Sequence, residues 1–239
     1  MEMRFKIQLI GAFLIMSCLS ANAQFGVSAR LQNNTNKNWT NTYQTAADTS
    51  QSIFPHSIEY GINYWFRLKD YRVEFLPEIS YSKSENSELY SGLLVNSHSR
   101  TSYNFNFNVQ IYPLDFFGDC DCPTFSKDGN FMSKGFYWLL SPGLSMHTIE
   151  SVMDPLSSYI PEDTKITSVR FGVGAGVDMG LTNMITMSPF IMYSMNFGNN
   201  WENQPNTYSL EDPASYDTKA NIKQWHFGLR LIFRPDYKS

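Results

Sequence analysis

A two-residue alternation of apolar and polar side chains recurs along this chain. It is nearly perfect from Tyr103 to Ile111, where aromatic and aliphatic residues alternate with asparagine and glutamine. Successive side chains of a β-strand point to opposite faces of the sheet, so such a segment has one apolar and one polar face. The pattern predicts eight strands: Phe25 to Gln32, His56 to Arg67, Arg72 to Lys83, Ser99 to Tyr112, Gly135 to His147, Lys165 to Met179, Ile185 to Phe197 and Asn221 to Phe233.

Most of these segments are long for strands. A tilted strand crosses the hydrocarbon layer of a membrane with about 9 to 11 residues, whereas strands of globular proteins average about 5 to 6. The lengths favour strands that cross a membrane and project beyond it. The fold class predicted is therefore all-β, an eight-stranded antiparallel up-and-down transmembrane β-barrel with its apolar face toward lipid.

The connections between the predicted strands alternate in length. Long polar stretches are Asn33 to Pro55, Ser84 to His98, Thr148 to Thr164 and Gly198 to Ala220, and short ones are Leu68 to Tyr71 and Gly180 to Met184. Long loops on one side and tight turns on the other are typical of an outer-membrane barrel whose N- and C-termini are periplasmic. Residues 113–134 form an exception, because this connection should be periplasmic but is long.

The polar face of the predicted strands, formed by every second residue, carries charged residues that would point into the lumen. The interior of an eight-stranded barrel is just wide enough for its side chains, and charges confined there persist when they are paired. We predict a luminal charge network and a filled interior that makes a poor channel. Its members are Arg30, Glu59, Arg67, Glu74, Glu78, Arg170, Asp178, His226 and Arg230.

The alternative is a water-soluble barrel of lipocalin type, with the apolar face inward around a small ligand. A face washed by water would be rich in lysine, whereas the polar parity here holds arginine, asparagine, serine and glycine. Gly172, Gly174 and Gly176 share that parity, as small residues would in a crowded interior. The composition of the polar face therefore favours the membrane barrel.

Three prolines stand at positions of the apolar face of the predicted strands. Pro77, Pro142 and Pro189 lie inside predicted strands, where proline removes a hydrogen-bond donor from the ladder. We expect bulges or locally open pairing at these positions.

The N-terminus has the layout of a cleaved secretory signal. Arg4 and Lys6 precede an apolar run from Ile7 to Leu19, and Ala21-Asn22-Ala23 follows. This predicts a signal peptide over residues 1–23 and one outer-membrane barrel domain over residues 24–239, in the envelope of a Gram-negative cell. A lipoprotein site at Cys18 is the alternative, but Met16 is bulky for such a site.

The charge balance bears on the partners of the chain. It has 18 Lys and Arg against 22 Asp and Glu, a formal net charge of -4. An acidic chain is a poor partner for nucleic acid, so none is predicted. Aromatic residues make up 15% of the chain, which is unlike a disordered protein.

Cys120 and Cys122 are the cysteines outside the predicted signal peptide. A disulfide between them is the default in an oxidising compartment, although the ring that it closes is small and strained. Metal binding together with Asp119 or Asp121 is the alternative, but two thiolates fall short of a closed zinc site. We predict a possible disulfide, no metal and no cofactor.

Three histidines fall at predicted outer strand ends, which raises the alternative of a membrane hydrolase or acyltransferase. His98 and His147 have the inward parity and His56 the outward parity, which argues against a shared catalytic site. The residues of that alternative would be His56, His98 and His147 with Ser57, Ser97, Ser99, Glu150 and Asp163.

With the signal, the eight strands and the terminal Leu229-Arg230-Leu231-Ile232-Phe233 segment in place, the chain resembles the outer-membrane β-barrel domain families, including the OmpA/OmpX-like and PorT-like groups. The likeness covers about Gln24 to Phe233. It implies a barrel in outer-membrane lipid. Because the filled interior makes a poor channel, we expect the function to be carried by the loops, as a binding or structural component of the envelope without catalysis. A protein partner, such as an envelope or secretion assembly, would dock on the periplasmic loop 113–134 or on the outer loops. A narrow solute pore is a further alternative.

Overall fold

The computed structural model describes residues 24–35, 54–68, 71–91, 94–116, 135–152, 163–182, 184–200 and 219–233. Apart from one short 3-10 turn at Pro113–Asp115, the regular structure of these residues is β-strand. The strands are β1 (Gln24–Thr35), β2 (His56–Arg67), β3 (Val73–Ser91), β4 (Leu94–Ile111), β5 (Phe136–Val152), β6 (Thr164–Val177), β7 (Met179–Gly180), β8 (Ile185–Asn200) and β9 (Lys219–Phe233).

The sheet closes on itself. Its strand order is β6-β5-β4-β3-β2-β1-β9-β8-β7, and an additional pairing joins β6 to β8. The two-residue β7 pairs with β8 through Met179 and Met187, in the same register that Gly176 and Phe190 set between β6 and β8. Because β6 and β7 together form one strand of the barrel wall, the barrel is eight-stranded. The predicted eight-stranded antiparallel fold is confirmed.

Each of the three prolines lies beside a break in pairing on one side only. Pro77 pairs with β4, while β2 and β3 have no partners between Asn63–Glu78 and Phe66–Phe75. Pro142 pairs with β6 and faces a gap toward β4. Pro189 pairs with β9 and separates β6 from β7. Open pairing at the prolines is thus confirmed, and it explains why β7 is a separate strand.

The two faces of the wall differ sharply in exposure. In β1, Arg30 is 2% exposed and its neighbour Leu31 is 60% exposed. The same alternation follows every long strand, with polar side chains inside and apolar side chains outside. Water-soluble monomers rarely expose so continuous an apolar surface, and this arrangement is the one expected of a barrel in lipid.

The exposed apolar band has aromatic residues at both of its borders. On β3 it runs from Val73 to Tyr81, beyond which Lys83 is exposed. At about 3.3 Å a residue and a tilt near 40°, nine residues cover about 23 Å, close to the ~25 Å expected of an outer-membrane barrel. Ring pairs mark the border that lies away from Gln24 and Phe233. Their centroid distances are 5.4 Å for Tyr81–Tyr103 and 5.1 Å for Tyr193–Trp225.

The strands extend farther than the alternation predicted at the end away from Gln24 and Phe233. The predicted loop Ser84 to His98 is wrong, because β3 continues to Ser91 and pairs there with Leu94 of β4. Part of the predicted loop Thr148 to Thr164 is also strand, since β5 reaches Val152. Apolar alternation stops where lipid stops, but backbone pairing does not, so hydropathy shows only the embedded part of each strand.

Within the described ranges, no helix has the length and apolar character needed to cross a membrane.

Candidate functional site

Four charged side chains form what we call the ionic cluster: Arg30, Glu59, Glu78 and Arg170. Arg30 and Glu59 are register partners on β1 and β2, and Arg30 Nη2 lies 3.1 Å from Glu59 Oε1. The same nitrogen also forms an ion pair with Glu78. Arg170 Nη1 lies 3.3 Å from Glu59 Oε2. All four side chains are almost completely buried.

The contact between Glu59 and Arg170 crosses the lumen. Glu59 lies on β2 and Arg170 lies on β6. These strands are four strand-to-strand steps apart in either direction around the closed sheet, so they stand on opposite sides of the barrel. Glu59 also accepts hydrogen bonds from Gln32 and Ser80. The carboxylate therefore joins β1, β2, β3 and β6, and the centre of the barrel is occupied by side chains at this level.

A second group of polar residues adjoins Arg170. Arg170 Nη2 lies 3.1 Å from His226 Nε2, and Ser194 Oγ lies 2.8 Å from the same ring nitrogen. Farther along β9, Gln224 Nε2 donates a 2.6 Å hydrogen bond to Asn34 Oδ1. The network thus continues from the ionic cluster toward the end of the barrel that lies away from Gln24 and Phe233.

At the end of the barrel that holds Gln24 and Phe233, Tyr112 is the centre of a separate luminal group. Its hydroxyl lies 2.7 Å from Asp178 Oδ2 and 3.1 Å from Glu74 Oε2. Ser188 donates a hydrogen bond to Asp178, and Trp65 Nε1 donates one to Glu74. Neutral donors therefore solvate both carboxylates at this level of the lumen.

Sequence reasoning missed the ion pair between Arg72 and Asp115. Arg72 is buried, and its guanidinium carbon lies 4.4 Å from the centroid of the Tyr112 ring. Arg72 N also donates to Phe116 O at 3.0 Å. These contacts hold the start of the connection at residues 113–134 against the turn between β2 and β3. The available signal was parity, because Arg72 stands two residues before the inward Glu74.

The predicted luminal residues are distributed over three levels of the barrel. Arg30, Glu59, Glu78 and Arg170 come together in the ionic cluster, and His226 adjoins it. Glu74 and Asp178 belong to the group around Tyr112, and Arg230 packs against Phe190, with its Cζ 5.2 Å from the ring centroid. The Arg67 side chain lies outside the described residues, as do Cys120, Cys122 and the predicted signal peptide, residues 1–23.

The three histidines of the hydrolase alternative are not brought together. His56 is exposed on the outer face, whereas His98 and His147 point inward. His147 Nδ1 lies 2.7 Å from Ser102 Oγ and its Nε2 lies 3.1 Å from Ser168 Oγ. All three of these side chains are at most 3% exposed, so neither serine presents the accessible hydroxyl that a nucleophile needs.

Metal ligands do not cluster in the part of the chain that the structure describes, where no group of three His, Cys, Asp or Glu side chains could hold an ion.

The hairpin of β3 and β4 projects beyond the other strands. β2 pairs with β3 only as far as Ile58 and Lys83, and Ser84 Oγ donates a 2.6 Å hydrogen bond to His56 O just above. From residue 86 to 91, β3 pairs with β4 and has no strand of the described ranges on its other side. Within the described residues, no strand pairs with this backbone edge of the hairpin, which we call the β3 edge.

Comparisons with known proteins add fold neighbours. No family model matches the chain, and no curated protein is significantly similar in sequence. Among solved structures, Neisserial surface protein A has 12% identity and a TM-score of 0.40 over 90% of this chain and 97% of that one. Ail of Yersinia pestis has 11% identity and a TM-score of 0.42 over 88% and 99%. A major outer membrane protein from Thermus thermophilus has 8% identity and a TM-score of 0.45 over 88% and 99%.

Proposed function

We propose that this chain is an integral outer-membrane barrel that serves as a non-catalytic binding or structural component of the envelope. The end of the barrel that holds Gln24 and Phe233 faces the periplasm, and the β3–β4 hairpin projects on the outer side. The observation that carries the proposal is the contrast between a lumen crossed by the Glu59–Arg170 pair and a hairpin that projects past the end of the β2–β3 pairing, with no described strand on the β3 edge.

The filled lumen argues for a role at the surface. Transport needs a continuous water path, whereas the ionic cluster and the group around Tyr112 join different walls of the barrel across its interior. Catalysis needs an accessible nucleophile, and the described Ser–His contacts are buried. A recognition role needs neither, because the rigid wall can present its extramembrane segments to a partner.

The β3 edge suits one mode of recognition. Unpaired N–H and C=O groups of an exposed strand edge can accept an additional strand from another protein. The embedded part of β3 is held on both sides by β2 and β4. The register between β3 and β4 shifts between Asn86 and Leu89, so the projecting part is fixed at its base but offset from the embedded part. We assign the docking surface to residues 86–91 and the occupant to an extended segment of an envelope protein.

Co-purification from gently solubilised envelopes tests the proposal. The variant shortens the hairpin by replacing residues 87–97 with an Asn-Gly turn, which keeps the Asn86–His98 pairing and leaves every embedded strand intact. The matched control deletes Asp119 to Asp128 in the connection at the other end. A photo-crosslinking residue at position 87 identifies proteins that touch the β3 edge directly.

The proposal predicts that the crosslinked protein is lost with the shortened hairpin and retained in the control. Heat-dependent gel mobility shows that both variants still form barrels. If only the Asp119 to Asp128 deletion releases the partner, docking occurs on the periplasmic connection, and the role assigned to the β3 edge is wrong. If neither change alters the set of bound proteins, the binding function itself is contradicted.

A further inference from the structure

Arg230 is a buried charge that forms no ion pair with the described residues. Its side chain is 0% exposed, and Nε, Nη1 and Nη2 form no hydrogen bond within the described part of the chain. The ion pairs of the described residues involve Arg30, Arg72, Arg170 and Lys83 but not Arg230. An isolated ionised group is costly to bury, so buried charges are normally paired.

The surroundings of Arg230 follow from the strand register. Arg30, Gly228 and Phe190 form one row across β1, β9 and β8, and Arg230 stands two residues farther along β9. The guanidinium carbons of Arg30 and Arg230 lie 5.9 Å and 5.2 Å from the centroid of the Phe190 ring. Gly228 allows this arrangement, because a β-carbon there would meet the ring.

Arg30 contributes further free donors to the same place. Its Nη2 is used by Glu59 and Glu78, whereas its Nε and Nη1 have no hydrogen-bond partner. Two guanidinium groups with unpartnered N–H groups therefore lie against one aromatic ring. Such a concentration of donors and positive charge favours an anion.

The two carboxylates close to Arg230, Glu78 and Asp178, contact its neighbours and form no ion pair with Arg230 itself. Its register partners are Ser28 on β1 and Ser188 on β8. Ser28 Oγ donates a 2.9 Å hydrogen bond to Glu78 Oε2, and Ser188 Oγ donates to Asp178 Oδ1. Both hydroxyls thus direct their protons to carboxylates rather than offering charge to Arg230.

We propose that the lumen beside Phe190 is a binding site for a small monovalent anion, with chloride as the ligand. Arg230 supplies most of the donors, and the free N–H groups of Arg30 supply the rest. Both guanidinium groups are buried on the inner face of the wall, where a monatomic ion needs less room than a carboxylate or phosphate ligand. The site is distinct from the β3 edge and is independent of the proposed surface function.

Thermal unfolding of the detergent-solubilised protein tests the site. Chloride is titrated against gluconate at constant ionic strength, which separates binding from screening. A ligand that binds only the folded state should raise the unfolding temperature by about 3 to 6 °C for each tenfold increase above its dissociation constant. Arg230→Met should abolish this dependence. Arg100→Met, a buried arginine whose Cζ lies 5.0 Å from the Phe54 ring centroid, is the matched control and should retain it.

Crystals grown with bromide in place of chloride provide a second readout that does not require a variant to fold. The proposal predicts an anomalous peak within hydrogen-bonding reach of Arg230. It is overturned if the peak is missing and chloride and gluconate give equal unfolding temperatures. It is also overturned if Arg230→Met responds to chloride as strongly as the wild-type protein.

Discussion

Glu59 Oε2 and Arg170 Nη1 lie 3.3 Å apart and connect two strands on opposite sides of the barrel. The residues are 111 positions apart in the chain, and neither side chain is more than 1% exposed. Because Glu59 also pairs with Arg30, one carboxylate contacts two guanidinium groups. The interior is thus stabilised by contacts between walls and not only by pairing along them.

Replacing Glu59 with Gln should destabilise the barrel by about 3 to 5 kcal/mol, because it removes the carboxylate paired with the buried Arg170 and leaves Arg30 with Glu78 alone. Urea unfolding in detergent, followed by gel mobility, measures the change. Glu85→Gln is the control, since the Lys83–Glu85 pair is exposed and surface pairs contribute little. Equal midpoints for the wild-type protein and Glu59→Gln would contradict the importance of the ionic cluster.

Planar bilayers should show no stable conductance steps with the wild-type protein. The contacts of Glu59 and Tyr112 fill two successive levels of the lumen, so a continuous water path is blocked. Heat-dependent mobility of protein recovered from the same vesicles verifies that it is folded. Reproducible ohmic steps would support the narrow-pore alternative instead.

Gly228→Ala should destabilise the barrel by about 1 to 3 kcal/mol, the usual cost of overpacking a filled interior. The added β-carbon would collide with the Phe190 ring. A second substitution, Phe190→Leu, removes ring atoms and should recover part of the loss. Unfolding midpoints of the two single variants and the double variant give the coupling. Strict additivity of the two effects would show that the residues do not meet as described.

Pro189→Ala should close the gap between β6 and β7. Alanine restores an N–H where the β6–β8 ladder is interrupted, and a new hydrogen bond contributes about 0.5 to 1.5 kcal/mol. Hydrogen exchange should find the amide at position 189 protected. Rapid exchange at that amide, with Ile191 still protected, would mean that the break has another cause.

The parity of the strands predicted the inward position of Arg30, Glu59, Arg170 and Arg230 because period-two alternation directly encodes the two faces of a wall. It could not predict which inward charges meet, since Glu59 and Arg170 are joined through the tilt and closure of the sheet.

Features at the strand ends were harder to predict. The β3–β4 extension beyond Lys83 lacks apolar alternation, and its pairing depends on the partner strand rather than on hydropathy. Parity indicated the inward position of Arg72, but Asp115 lies in the 3-10 turn at Pro113–Asp115, where alternation no longer defines a face. The possible Cys120–Cys122 disulfide stays a prediction, and reaction with a thiol-alkylating reagent before and after reduction would decide it.

The most direct test of the central claim is the accessibility of spin labels in lipid vesicles, in a background with Cys120 and Cys122 replaced by Ser. Labels at Ile62 and Val173, which are 65% and 45% exposed on the outer wall, should collide readily with lipid-soluble oxygen and little with a water-soluble nickel chelate. Labels at Glu85 and Lys223, beyond the apolar band, should show the reverse preference. Free access of the nickel chelate to Ile62 and Val173 would contradict a barrel whose apolar wall faces hydrocarbon.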